Sequence, residues 1–140
     1  MAFVSTILCV DDDEDDLHFI HEIIVEQQHR FTIDTCTNGW EAMRYLEQAA
    51  EKDLLPCLVI MDVNMPRMDG KETIRRIKGH DRLSTIPVVV FTTSSNKDDR
   101  NYFEGLGVHF FTKPFDYKVF TRQIVDLLAF CADQSTPFPD

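Results

Sequence analysis

The chain has 140 residues, the size of one ordinary domain, and 44% of them are hydrophobic, enough for a core without a disulfide or structural metal. With 14 Lys+Arg against 24 Asp+Glu the net charge is −10, which argues against direct nucleic-acid binding and suits cations or basic protein partners. Cys9, Cys36, Cys57 and Cys131 have no C-x-x-C spacing and read as free buried thiols of a reducing cytosol. No basic-then-apolar leader is present and no apolar run approaches the ~20 residues of a membrane span, so the expected location is the cytoplasm.

In chain order, "FVSTILCV" (3–10) predicts a buried strand. Six consecutive carboxylates follow it, Asp11 to Asp16, although like charges this close repel. From Asp15 the apolar spacing is helical, through Leu17, Ile20, Ile23, Ile24 and Gln27, with acids where a helix dipole favours them. "RFTIDTCT" (30–37) alternates as a second strand. Asn38-Gly39 marks a turn, and a helix continues through Ala42, Met43, Leu46, Ala49 and Ala50. "CLVIM" (57–61) is a third strand, "DVNMPRMDG" a loop and "KETIRRIKG" a helix with Ile74 and Ile77 apolar. In that loop Pro66 fixes φ and Gly70 frees it. "IPVVVF" (86–91) is a fourth strand and "TTSSNKDD" a polar loop. "DRNYFEGLG" is a helix stopping at Gly107, "VHFFT" (108–112) a fifth strand and "YKVFTRQIVDLLAFC" the last helix. Residues 132–140 read as a frayed tail after a domain of residues 1–131.

Strands alternating with helices imply an α/β fold with a doubly wound parallel sheet, helices on both faces and a ligand site at the strands' carboxyl ends. Asp11 and Asp12 follow strand one, Asp62 strand three, Thr92 and Thr93 strand four, and Lys113 strand five. Carboxylates from two strands make an oxygen-lined pocket for a hard cation such as Mg²⁺. The cation offsets the repulsion among Asp11, Asp12 and Asp62. A lysine and a threonine hydroxyl beside it suit phosphoryl oxygens, and an aspartate can itself become an aspartyl-phosphate. No nucleotide-binding loop is present, so the phosphoryl group comes from another molecule.

"ILCVDDDEDD", "VIMDVNMPRMDG", "VVVFTTSS" and "FFTKPFD" resemble the four signature segments of response-regulator receiver domains, the CheY-like modules of two-component signalling. The resemblance covers about Thr6 to Cys131 and implies a five-stranded flavodoxin-like sheet in the order 2-1-3-4-5. It implies that phosphate passes from the phospho-His of a histidine kinase, or of a histidine phosphotransfer protein, to Asp62. It further implies Mg²⁺ held by Asp12 directly, Asp11 through water, Asp62 and the Asn64 backbone carbonyl. Thr92 matches the switch hydroxyl and Lys113 the phosphate-binding lysine, usually joined to its proline by a cis peptide. Phe110 matches an aromatic switch position where tyrosine is common, and phenylalanine has no hydroxyl to bond. Asp11-Asp12 is the acid pair because it directly follows the strand valine; Asp13 to Asp16 then read as solvated helix-start acids.

Such a receiver is a binding module, not an enzyme, beyond its own phosphorylation and dephosphorylation. Two alternatives are a Mg²⁺-dependent phosphohydrolase with an Asp62 nucleophile and a phosphorylation-independent pseudo-receiver. The first needs a general acid two residues on, where Asn64 stands. The length resembles single-domain receivers, and "FTTSSN", "AAEKDLLPC" and "KGHDRLSTIP" resemble those paired with phytochrome-like kinases. The resemblance places the output face at 96–130, for a downstream protein or a homodimer, with Tyr102, Phe103 and Tyr117 as contact candidates. His18 and His21 read as surface residues and Trp40 as locally packed.

Overall fold

The computed structural model describes residues 5–27 and 31–131. Phe3, Val4 and Arg30, assigned above to strands, and the expected tail 132–140 lie outside the described residues. Five parallel strands, β1 (Ser5–Val10), β2 (Phe31–Cys36), β3 (Leu58–Met61), β4 (Val88–Thr92) and β5 (His109–Thr112), form one sheet in the order β2-β1-β3-β4-β5. The connecting helices are α1 (Glu14–Gln27), α2 (Gly39–Glu51), α3 (Gly70–Lys78), α4 (Lys97–Gly105) and α5 (Tyr117–Leu127). Among the described residues no helix is long and apolar enough to cross a membrane.

Side-chain alternation sends neighbouring strand residues to opposite faces. Leu8, Val10, Val59 and Val90 join Leu46, Ile74 and Phe103 in a core beneath α2, α3 and α4. Ile7, Cys9, Ile60 and Phe91 join Ile20, Phe120 and Ile124 in a second core beneath α1 and α5. The central strands β3 and β4 are buried along their whole length, which is why they read as unbroken apolar runs. Both cores anchor the strands so that their carboxyl ends align along one edge.

Helix caps fix the loops at that edge. Asp13 Oδ1 accepts from the backbone N–H groups of Asp15 (3.0 Å) and Asp16 (3.2 Å). Asn38, Asp69, Asn96 and Asp116 cap α2 to α5 in the same way. Asn96 starts α4 at Lys97, two residues earlier than its apolar residues indicate. Gly107 ends it at φ +77°, donating to the Glu104 carbonyl. β4 begins at Val88 because Ile86 and Pro87 lead in, the Pro87 carbonyl accepting from Val59 N–H. After α5 a 3₁₀ turn, Leu128–Phe130, carries the chain to Cys131.

The reading of four free thiols is corrected: Cys57 and Cys131 form a disulfide, and only Cys9 and Cys36 are free and buried. The pair ties the turn after α5 to the residue before β3. Phe103 is also corrected as a contact candidate, because it is wholly buried under α4. Tyr102 and Tyr117 are exposed.

Candidate functional site

β1 and β3 are neighbours in register, Val10 opposite Met61, so the residues that follow each strand emerge side by side. Asp62 N–H donates to the Val10 carbonyl at 2.9 Å. One carboxylate oxygen from each of Asp11, Asp12 and Asp62 lies within 4.8 Å of the others. Asp11 and Asp62 are buried, and Asp12 is exposed. Three carboxylates and no nitrogen or sulfur donor make a set suited to a hard, oxygen-seeking divalent cation. Asn64 sits two residues beyond Asp62 on the exposed loop. The two histidines take no part in such a group: His18 pairs with Glu22 at 3.2 Å, and both His18 and His21 are exposed.

Asp62 Oδ1 accepts from Val63 N–H at 2.8 Å, and among the described residues Oδ2 has no hydrogen-bond donor. Gly70 holds this loop by close approach and not by an unusual φ: a Cβ there would lie 2.4 Å from the Asp62 carbonyl oxygen. The positive φ in the loop belongs to Arg67 instead, at +67°. The Arg67 guanidinium stands 4.4 Å from the Trp40 ring centre, and Arg44 stands 4.9 Å from it. Trp40 thus packs locally, and its partner is the loop that carries Asp62.

β5 brings Lys113 to the same edge, its backbone N–H bonded to the Thr92 carbonyl. The Lys113 side chain is 5% exposed, and its ammonium pairs with Asp11 Oδ2 and, at 2.7 Å, with Asp16 Oδ2. Burial pulls this ammonium down, but Asp11, Asp16 and Asp62 together outweigh it and hold Lys113 above the usual lysine value. Burial pushes the Asp11 carboxyl up to about 7; Lys113 opposes that rise and Asp62 adds to it. Asp11 therefore carries its charge only at a cost in this setting, which a second nearby cation relieves. The Lys113–Pro114 peptide is trans, unlike the cis form the resemblance implies.

The acidic run separates into distinct parts. Asp11 and Asp12 join Asp62, Asp13 caps α1, and Glu14 and Asp15 are exposed. Asp16 is not a solvated helix-start acid: it turns back from the first turn of α1 to Lys113. A first-turn acid lies over the carboxyl edge of the sheet, and that position was the available signal in the sequence.

Thr92 is fully buried, and its Oγ1 accepts from Ser94 N–H at 3.3 Å. Ser94 Oγ in turn bonds Asp99 Oδ2 at 3.0 Å, an α4 residue whose other oxygen pairs with Lys71 of α3 at 2.8 Å. Phe110 lies inward and buried, stacked on Phe103 at 6.0 Å between ring centres, with the Arg100 guanidinium 4.8 Å over its ring. A cavity of about 290 Å³ opens beside Lys113, with Asp16, Phe19 and Tyr117 in its walls.

Residues 7–125 match the family profile described as the response regulator receiver domain. Response regulator Rcp1 of Synechocystis sp. is 36% identical over 97 residues, 68% of this chain and 66% of that protein. The chain spans about half to two thirds of the first curated relatives it matches. The crystal structure of the phosphorylated cyanobacterial phytochrome response regulator RcpA superposes with a TM-score of 0.85 at 29% identity, over 98% of this chain and 99% of that one. The Mn²⁺-bound form of Rcp1 gives 0.83 at 29% identity, over 97% and 99%. From the acid cluster, the strand order and a profile spanning most of its length, the chain belongs to the response regulator receiver family, the modules of phosphorylation-dependent two-component signalling.

Proposed function

We propose that Asp62 accepts a phosphoryl group from the phospho-His of a histidine kinase or histidine phosphotransfer protein. The modification then changes binding to a downstream protein, or to a second copy, through the region 96–130. The observation that carries this is the convergence of buried Asp62 with Asp11, Asp12 and the Lys113 ammonium at one sheet edge. Asp62 Oδ2 attacks phosphorus, the P–N bond to the donor imidazole breaks, and that imidazole leaves with its electron pair and takes up a proton. Asp11, Asp12, Asp62 and the Asn64 carbonyl would hold Mg²⁺, which when bound offsets charge on the phosphoryl oxygens. Lys113 supplies a fixed positive charge to the same oxygens. The Thr92 hydroxyl then turns from Ser94 N–H toward the phosphoryl group, drawing the β4–α4 loop with it.

The relatives agree with this reading: a cyanobacterial neighbour has been crystallised phosphorylated, and another with Mn²⁺. A phytochrome-like kinase is accordingly the proposed donor. The alternative of an aspartate-nucleophile phosphohydrolase is disfavoured, since the amide of Asn64 cannot act as the general acid it would need there.

Incubation with acetyl phosphate and Mg²⁺, followed by intact mass, tests the proposal. One phosphoryl adduct is expected on the wild type, none on Asp62→Asn and none with EDTA. An adduct that persists on Asp62→Asn, or a wild type that takes up neither phosphoryl nor beryllofluoride, would sink it.

A further inference from the structure

Lys113 carries three ammonium donors, and two are committed to carboxylates, Asp11 and Asp16. The two acids differ in what else they serve. Asp11 belongs to the acid triad, and its Oδ1 also accepts from Asp13 N–H at 2.9 Å. Asp16 lies outside the triad. The start of α1 does not need it, because Asp13 caps the helix and Glu14 and Asp15 already place charge at its positive end. Its side chain is 20% exposed, and its bond to Lys113 spans 97 residues of sequence.

A lysine ammonium on a four-carbon stem is a mobile charge, and holding it in one place requires fixed acceptors. Any cation among Asp11, Asp12 and Asp62 competes with Lys113 for the charge of Asp11. The bond to Asp16 is free of that competition.

We propose that Asp16 is a positioning residue for phosphoryl binding: its carboxylate anchors the Lys113 ammonium so that the remaining donor is presented to the oxygens of a phosphoryl group on Asp62. This rests on the reading of Asp62 as phosphoacceptor. Asp16 touches neither phosphoryl group nor metal and acts only through Lys113.

The test is titration with beryllofluoride at saturating Mg²⁺, followed by the ¹⁹F resonances of the bound species. Wild type, Asp16→Ala, Asp16→Asn, Lys113→Ala and the Asp16→Ala/Lys113→Ala double variant are compared. Asp16→Ala is expected to weaken binding about tenfold, the worth of one hydrogen bond to a charged group. Asp16→Asn keeps an acceptor oxygen and should stay within about threefold of wild type. In the Lys113→Ala background Asp16→Ala should have no further effect. Should Asp16→Ala melt below the assay temperature, Asp16→Ser, too short to reach the ammonium, replaces it with the same loss expected. Equal or tighter binding by the truncated variant, or an undiminished loss without Lys113, overturns the proposal. A wild type that binds no beryllofluoride overturns the phosphoacceptor reading itself, and this inference with it.

Discussion

Lys71 and Asp99 stand 2.8 Å apart and join the start of α3 to the start of α4. Through Ser94 the same carboxylate also reaches the loop after Thr92. The loops after β3 and β4 are therefore held by one acid, whose hydrogen bond from Lys71 is the main influence keeping it below the usual carboxylate range. A lowered folded-state value means that the stabilisation is complete above the unfolded value and fades as pH falls through the lowered one. Asp99→Asn should cost about 0.5–1 kcal/mol at neutral pH, and the cost should shrink as pH falls through the acid range, measured by urea melts across it. Amide exchange across 93–99 should quicken in the variant.

Gly70→Ala should be the most damaging methyl in the loop. Its Cβ would meet the Asp62 carbonyl at 2.4 Å and the Val63 Cα at 2.9 Å, both backbone atoms that cannot turn aside. A loss of about 1–3 kcal/mol in chemical denaturation is expected, with slower uptake of phosphate from acetyl phosphate.

Metal dependence should be visible in stability. Mg²⁺ at a hundred times its dissociation constant should stabilise by about 2.7 kcal/mol over EDTA, read as a rise in Tm. Asp12→Asn should abolish that rise. It should also raise the Tm in EDTA, because one of three mutually repelling carboxylates is gone.

Thiol counting checks the cysteines. Denatured protein should alkylate at two positions without reductant and at four with it. In native protein Cys9 and Cys36 should resist alkylation at pH ~8, since burial pushes their thiols up to about 12 and about 11. Reduction of the Cys57–Cys131 bond, which spans 74 residues, should lower stability by up to about 4 kcal/mol.

Most of the architecture was legible because the central strands, buried on both faces, are continuous apolar runs, and Asp62 directly follows one of them; Lys113 follows the edge strand β5, legible from its short apolar run. What escaped the sequence was pairing through space. Spacing along the chain carries no trace of Cys57 meeting Cys131. Asp16 was hidden inside a charge run in which every member looks alike. α4 buries a single residue within its span, Phe103, so no periodicity distinguishes it from exposed Tyr102 beside it. The start of α4 was masked because "SSNKDD" is polar throughout, although Asn96 is a favoured N-cap residue and acids follow it in the first turn.

Trp40 is the chain's sole tryptophan, and two guanidinium groups lie over its ring, one of them on the loop that bears Asp62. All indole emission excited at the red edge therefore originates beside the loop that carries Asp62. If that loop shifts when Asp62 is modified, Arg67 changes its distance from the ring and the emission changes with it. The protein thus carries its own optical reporter, readable in real time without a label.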